Sequence, residues 1–404
     1  MNERIVIVGD GITAISAIKA IRENDKESEI KLYGEEKFYP YNRVRLTKGA
    51  LNSLDEDKIL LQKKEWYEEN KVTLYKDLKI TSINTEKREV ELSNGTKEVY
   101  SKLLLANGAK NFTPDINGIK KEGVLTLRTL EDVRNIVDKA KKSSTILVIG
   151  GGILGLELAW ILNQMGKKVI ISEIASRLMP KQLDEKASLM LHNSITINGI
   201  DVMLNNNISE ISANDNGVEG IIIDEGKFIN CDLIIYSVGI KPNVDVLTGT
   251  NIKVNKGIVV NEKMETSMPD IYAAGDVAEL DNKIYGLWNI AIAQGTTAGY
   301  NILGKDVIYK PAAPVTTLSA FNISLFSMGD IYEGNPDNIV INEDEGSYSK
   351  ILISNNKIIG AIVVGNIKNS PILKKAIEEK IDLGDINFSD VYVNDLIEII
   401  KNKK

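Results

Sequence analysis

The sequence predicts the α/β class, with two domains of one repeated βαβ design followed by a small α+β domain. Three observations predict it. A short apolar strand, a glycine-rich turn and an apolar helix occur in that order twice, about 140 residues apart. Hairpin signals follow each occurrence, and the composition shifts past Pro311 and Pro314. A chain of 404 residues is in any case too long for one ordinary core. The repeat makes the first two domains Rossmann-like.

The first unit runs through a strand at Arg4–Val8, a turn at Gly9–Ala14, a helix at Ile15–Asn24 and a strand at Ile30–Tyr33. The second repeats it with Thr145–Ile149, Gly150–Gly155, Leu156–Met165 and Lys168–Ser172. Both helices carry apolar residues at i, i+3, i+4 and i+7, the period of one buried face. Between the units, hairpin signals appear at Ile83–Leu92 with a turn at Asn94-Gly95, followed by Ser101–Ala106. After the second unit come Ile208–Asn214, Gly217–Asp224 and Cys231–Val238. A strand at Ile271–Ala273 leads into Gly275-Asp276, and a helix spans about Asn289 to Leu303. In the last domain Tyr348–Ser354 and Lys357–Val364 flank Asn355-Asn356, a hairpin turn. Helices around Ile372–Glu379 and Val391–Lys401 complete it.

The two turns carry the chemistry. Gly9 to Ala14 reads GxGxxA: the first glycine allows the tight turn, Gly11 lets backbone N–H groups approach a pyrophosphate, and small Ala14 lets helix and strand pack closely. Glu35 lies 26 residues beyond Gly9, where a ribose diol would sit. Gly150 to Gly155 reads GxGxxG, with Gly150, Gly152, Ile153 and Gly155 at the corresponding places and Glu173 at the end of the next strand. A carboxylate there accepts from an adenosine 2′-OH and repels a 2′-phosphate, which favours NADH over NADPH. Nearby Arg177 softens that preference.

Composition excludes other engines. A net charge of −7 argues against a nucleic-acid partner. The single cysteine, Cys231, excludes a disulfide framework and a Cys-ligated metal or cluster in this chain, and no metal is expected. Cys231 itself reads as a buried structural thiol. The single histidine, His192, sits in a helical run (Lys186–Ile197) and reads as solvent-facing or capping. If the chain is an enzyme, a bound cofactor does the chemistry. Apolar runs such as Lys102–Ala106 are far short of a membrane span, and a strand pattern by Arg4 leaves no room for a signal peptide, so a cytoplasmic protein is expected.

Further motifs carry a family resemblance over roughly residues 1–310. They are Leu103–Gly108 (LLLANG), Ile235–Pro242 (IYSVGIKP) and Thr266–Asp276 (TSMPDIYAAGD), added to the two glycine turns. With them the chain resembles the FAD/NAD-dependent pyridine nucleotide-disulfide oxidoreductases, whose fold is glutathione-reductase-like. Within that superfamily it looks most like the branch of NADH-dependent rubredoxin, ferredoxin and nitrite reductases. The segment Tyr39–Lys48 (YPYNRVRLTK) stands where disulfide reductases carry CxxxxC, and it has no cysteine. The resemblance implies residues 1–112 as the first part of an FAD domain, 113–240 as an NAD domain, 241–312 as the second part of the FAD domain and 313–404 as the terminal domain.

Residue by residue, the resemblance implies that Gly9, Gly11, Thr13 and Ala14 cradle the FAD pyrophosphate, with Glu35 on the ribose and the Ile80 backbone at the adenine. It places Arg43 and Arg128 near the pyrophosphate or flavin edge, Gly108 and Gly239 in cofactor-binding turns, and Asp276 on the ribityl chain. Trp288, in Gly286–Gly299, is implied near the flavin pyrimidine. Lys48 is implied beside the reacting ring, paired with Glu157 of the NAD-domain helix, as the catalytic pair. Two departures stand out: Thr13 before the third small residue, and Asp10, a carboxylate beside a phosphate site.

The implied activity takes hydride from NADH onto FAD and passes electrons to a small redox protein such as rubredoxin or ferredoxin, with Arg43, Arg45 and Lys48 as a docking patch. The alternatives are the flavoprotein component of an NADH-dependent nitrite reductase and an NADH-responsive redox binding protein. The sequence leaves open the acceptor, the choice between monomer and homodimer, the strictness toward NADH, and whether residues 313–404 dock a partner, dimerise or brace the flavin domain.

Overall fold

A computed structural model describes residues 3–49, 55–215, 217–311, 313–332 and 336–403. The chain divides into two compact units, Met1–Phe112 with Gly239–Ala312, and Thr113–Val238 with Ala313–Lys404.

The first unit is built on a five-stranded parallel sheet in the order Ile271–Ala273, Lys102–Leu105, Arg4–Val8, Glu29–Tyr33, Val72–Tyr75. Strands buried on both faces read as unbroken apolar runs, and Ile5, Ile7, Ile30, Leu32, Leu103 and Leu105 are all completely or almost completely buried. Each such side chain contributes about 1.5–3 kcal/mol through burial. The helix after the first strand starts at Ile12 rather than Ile15, because Gly11 is already extended and its carbonyl accepts from Ile15 N–H at 3.2 Å. A second helix, Trp288–Ile302, packs directly on it. A Cβ on Gly295 would strike the Thr13 carbonyl, and one on Gly299 the Ala17 carbonyl, so the two backbones touch through small residues.

The hairpin signals over Ile83–Leu92 correspond to two strands, Ile80–Asn84 and Glu89–Leu92, paired antiparallel with Lys97–Val99 beyond. The polar Thr85–Arg88 turn joins the first two, and Arg88 closes it at φ 55. The chain leaves and re-enters this unit through paired strands, Ala109–Asn111 against Ile240–Pro242.

The second unit repeats the plan. Its parallel sheet has the order Asp201–Met203, Lys168–Ser172, Thr145–Ile149, Leu233–Tyr236, Val124–Thr126, with a three-stranded antiparallel sheet beside it. The strand expected over Cys231–Val238 is confined to Leu233–Tyr236. Before it, the Asp232 carboxylate accepts from Ser144 and Thr145 N–H at 2.5 and 2.9 Å, pinning the chain as it arrives.

The same unit holds a five-stranded antiparallel sheet in the order Val315–Ala320, Ile323–Gly329, Lys357–Val364, Ser347–Ser354, Asn338–Asp344. Helices Ser370–Glu378 and Val393–Asn402 cover one face, burying Leu373, Ala376, Leu396 and Ile400 against Ile351, Ile358 and Val363. Asn355 and Asn356 close the central hairpin at φ 50 and 57, as a primed turn requires. This sheet packs on the nucleotide half of its unit: Trp160 meets Phe321 edge-on at 5.3 Å, and Ser194 Oγ donates to the Phe321 carbonyl at 2.6 Å. No described helix is long and apolar enough to cross a membrane.

Candidate functional site

In the first turn Gly9 N–H donates to Tyr33 O at 2.8 Å. At φ +91, a Cβ on Gly9 would strike the Ala106 carbonyl. Gly11 is the opposite case, since a Cβ there would meet nothing within 4 Å. The helix that follows starts without a side-chain cap. The first N–H groups of a helix have no intrahelical partner, and with the helix dipole they make an anion site. Open space over an uncapped helix start is what a pyrophosphate needs. Ala14, fully buried, keeps the helix close.

Two other segments reach this turn. Gly275, at φ +80, lies against the Thr13 hydroxyl, and its N–H donates to Gln294 Oε1 at 2.8 Å. Half-buried Asp276 follows Gly275 directly in the chain. From the strand end, Leu78 N–H donates to Gly34 O at 2.9 Å and Lys79 pairs with exposed Glu35 at 2.8 Å, which places the buried Ile80 alongside. Gly108 (φ +62) and Gly239 (φ +112) lie where the two crossing strands begin. Trp288 is half-buried as the first residue of its helix, and Lys48 is exposed on the short helix Arg45–Gly49.

Asp10 is turned inward. Its carboxylate occupies the space a Cβ on Gly34 would fill, and burial pushes its pKa up to about 6 against the opposing Arg43 charge. Arg43 is half-buried, pairing with Glu36 at 2.6 Å and donating to Tyr41 Oη at 3.0 Å, while Tyr41 donates to Glu36 at 2.6 Å. Gly34 and Gln294 were not singled out in the sequence; a glycine ending an apolar strand was the one visible signal.

The second turn has the same skeleton. Gly150 (φ +113) donates its N–H to Ser172 O at 2.8 Å, and its Cβ would strike the Ser237 carbonyl. Gly152 again opens on empty space, before an uncapped helix starting at half-buried Ile153. A Cβ on Gly155 would strike the Gly150 carbonyl, so the third glycine lets the helix close on its own turn. Glu173 is half-buried and accepts from Gly151 N–H at 2.6 Å and Ala175 N–H at 2.8 Å. Leu178 covers Gly151, and Met179 N–H donates to Gly151 O at 3.2 Å.

Glu157 is half-buried one turn into the second turn's helix, and Arg128 precedes the helix Leu130–Lys142, its N–H donating to Asp132 Oδ2 at 2.8 Å. Lys48 and Arg128 therefore belong to different compact units, as do Lys48 and Glu157. Cys231 is buried, and burial pushes its thiol up to about 12, well outside nucleophilic range. His192 is half-buried on the helix Glu185–Ile197.

Residues 3–295 match the family described as pyridine nucleotide-disulphide oxidoreductase, and residues 314–381 match the rubredoxin NAD+ reductase C-terminal domain. The chain is 34% identical over 395 residues to the NADH-rubredoxin oxidoreductase of Clostridium acetobutylicum, covering 98% of this chain and 100% of that one. The crystal structure of NADH:rubredoxin oxidoreductase from that organism matches with a TM-score of 0.80 at 32% identity, over 98% of this chain and 100% of that one. An NAD(P)H nitrite reductase of Bacillus subtilis is 33% identical over 388 residues, covering 95% of this chain but 48% of that protein, so the chain spans about half its length.

Proposed function

The chain belongs to the pyridine nucleotide-disulphide oxidoreductase family, and from that premise we propose that it is an FAD-dependent enzyme taking hydride from NADH and passing electrons to a small redox protein such as rubredoxin. When bound, FAD supplies the hydride acceptor and the one-electron donor. The chain's residues supply position and charge. Gly9, Gly11, Thr13 and Ala14 shape the turn that takes the FAD pyrophosphate, with Glu35, Arg43, Ile80, Gly108, Arg128, Asp276, Gly239 and Trp288 completing that site. Gly150, Gly152, Ile153 and Gly155 shape the NADH turn, and Glu173 reads the ribose. Lys48 lends positive charge where the ring is reduced, and Glu157 is the second residue of the proposed catalytic pair. Holding two reactants in register can remove roughly 7–11 kcal/mol of barrier, so no side-chain nucleophile is needed.

The observation that carries the electron-transfer reading is the missing thiol relay. Tyr39–Lys48 has no cysteine and Cys231 is buried with its pKa raised, so electrons leave the flavin without an intervening disulfide. The full-length match to the clostridial relative and the terminal-domain match favour rubredoxin as acceptor over a nitrite reductase centre. Arg43 is committed to Glu36, which leaves exposed Arg45 and Lys48 as the docking charges.

Anaerobic stopped-flow mixing with NADH, then with rubredoxin, tests this. Fast flavin bleaching followed by fast rubredoxin reduction is expected, with the second phase slower and less salt-dependent in Arg45→Glu. A long-lived NADH–flavin charge-transfer complex that rubredoxin does not discharge would overturn the reading.

A further inference from the structure

The loop joining the strand Lys168–Ser172 to the helix Glu185–Ile197 carries Glu173, which accepts from the second glycine turn, and, four residues on, Arg177. A planar guanidinium is the side chain best suited to a phosphate. A guanidinium turned toward the ribose would favour a 2′-phosphorylated dinucleotide, whereas Glu173 opposes one.

Arg177 is already engaged. Its Nη2 donates to Tyr332 Oη at 3.3 Å and to the Pro180 carbonyl at 3.5 Å, and its guanidinium carbon lies 5.9 Å from the Tyr332 ring centre. Its Nε is buried with no hydrogen-bond partner. Leaving a buried donor unpaired costs about 1–3 kcal/mol, so this placement is imposed on Arg177 by its surroundings.

Those surroundings come from the C-terminal sheet domain. Tyr332 follows the strand Ile323–Gly329 and donates its hydroxyl proton to the Leu183 carbonyl. Ser327 Oγ donates to the Gln182 carbonyl at 2.6 Å. Tyr348 Oη and Lys350 Nζ both reach Asp184 Oδ2, at 2.7 and 3.2 Å. Asp184 also caps the following helix by accepting from Ala187 N–H at 3.0 Å. Between the clamp and the turn sits Met179, buried and at φ +47. That conformation is strained for a bulky residue and persists only where neighbours over-determine it.

We propose that the C-terminal domain sets the choice of nicotinamide dinucleotide, with Tyr332 as a positioning residue that keeps Arg177 on the loop's own backbone and leaves Glu173 to read the ribose without a competing guanidinium. The inference rests on the NADH reading of the second turn. It assigns residues of the terminal domain a part in cofactor selection, separate from any acceptor docking.

The test uses the FAD-loaded, full-length protein. Tyr332→Ala, Arg177→Ala and the double variant are compared for kcat and KM with NADH and NADPH, and for inhibition by 5′-AMP and 2′,5′-ADP. In Tyr332→Ala the NADPH-to-NADH ratio of kcat/KM should rise about tenfold, the equivalent of ~1.4 kcal/mol. The gain should lie in KM, be matched by tighter 2′,5′-ADP inhibition, and vanish in the double variant. A ratio within about twofold of wild type, or a gain that survives loss of Arg177, overturns the proposal. If Tyr332→Ala does not load FAD, Tyr332→Phe keeps the ring, removes the hydroxyl and is read by the same criteria. A wild-type enzyme that prefers NADPH would instead overturn the NADH reading on which the proposal rests.

Discussion

The two glycine turns share a skeleton and differ in where they keep a carboxylate. In both, the first glycine donates to the last residue of the neighbouring strand, Gly9 to Tyr33 and Gly150 to Ser172, each at 2.8 Å. That register makes Asp10 the counterpart of Gly151, and Gly34 the counterpart of Glu173. In the first turn the acid stands on the turn and leans over a glycine at the strand end. In the second the acid stands at the strand end and leans over a glycine on the turn, with Glu173 Oε2 3.0 Å from where a Gly151 Cβ would be. One gap thus takes one carboxylate, from either side. The exchange matters because an acid at the strand end can face a ribose, whereas one on the turn is buried away from it. The first unit's candidate ribose partner stands one residue later, at exposed Glu35.

The largest effect that would sharpen this comparison lies within the first turn. Gly9→Ala puts a methyl group into the Ala106 carbonyl at a backbone angle that L residues avoid, and should cost roughly 3 kcal/mol or more. Gly11→Ala enters open space, so urea unfolding of the FAD-free protein should move by less than about 1 kcal/mol while bound FAD is lost. Equal destabilisation by both would refute the view that the first glycine serves the fold and the second the ligand.

Next comes Glu173→Ala. It removes the acceptor of two backbone N–H groups and the proposed ribose reader together, and should raise the KM for NADH about tenfold or more with FAD content unchanged. An unaltered KM would break the assignment of roles between the turns.

Asp10→Asn should act in the other direction. A buried acid whose folded pKa is raised from 3.8 to about 6 contributes stability that is complete below the lower value and is lost as pH rises through the upper one. The FAD-free Asn variant should therefore be more stable than wild type near about pH 8, by roughly 1–3 kcal/mol, and indistinguishable from it near about pH 4. It should also hold FAD more tightly at the higher pH, since a pyrophosphate then meets no buried negative charge. Denaturation midpoints and flavin retention at the two pH values decide it, and a pH-independent difference would refute the mechanism.

The smallest effect belongs to Lys79→Ala. The Lys79–Glu35 pair is exposed on both sides and worth at most about 1 kcal/mol, so FAD affinity should fall by less than about fivefold. A larger loss, by equilibrium dialysis, would mean that the ion pair rather than the turn orients the ribose.

Where the sequence was legible, the cause was local. Arg4–Val8, Thr145–Ile149, Lys168–Ser172 and Ile271–Ala273 fold over the expected residues because each is a largely apolar run with a glycine or a charge next to one end. The helix starts at Ile12 and Ile153 were misplaced by three residues because each helix begins inside its glycine motif, directly after Gly11 and Gly152. Val315–Ala320 and Asn338–Asp344 went unread because Thr, Ser and Asn dilute their alternation. The Asp10–Gly34 and Gly151–Glu173 exchange depends on which strand lies beside which turn. The hold of Tyr332 on Arg177 spans 155 residues. Neither leaves a mark that periodicity or spacing can show.

The discontinuous first unit also governs the order in which the protein comes into being. The strand Lys102–Leu105 waits for Ile271–Ala273 to cover its edge, and the Thr13–Ala17 face waits for Gly295 and Gly299. At about 5–20 residues per second, the ribosome takes roughly ten to thirty seconds to deliver that closing strand. Throughout that interval the nascent sheet offers an unpaired apolar edge, the kind of template on which chains mispair. The insertion of the second unit between the two parts of the first therefore makes synthesis the interval in which that edge stands open.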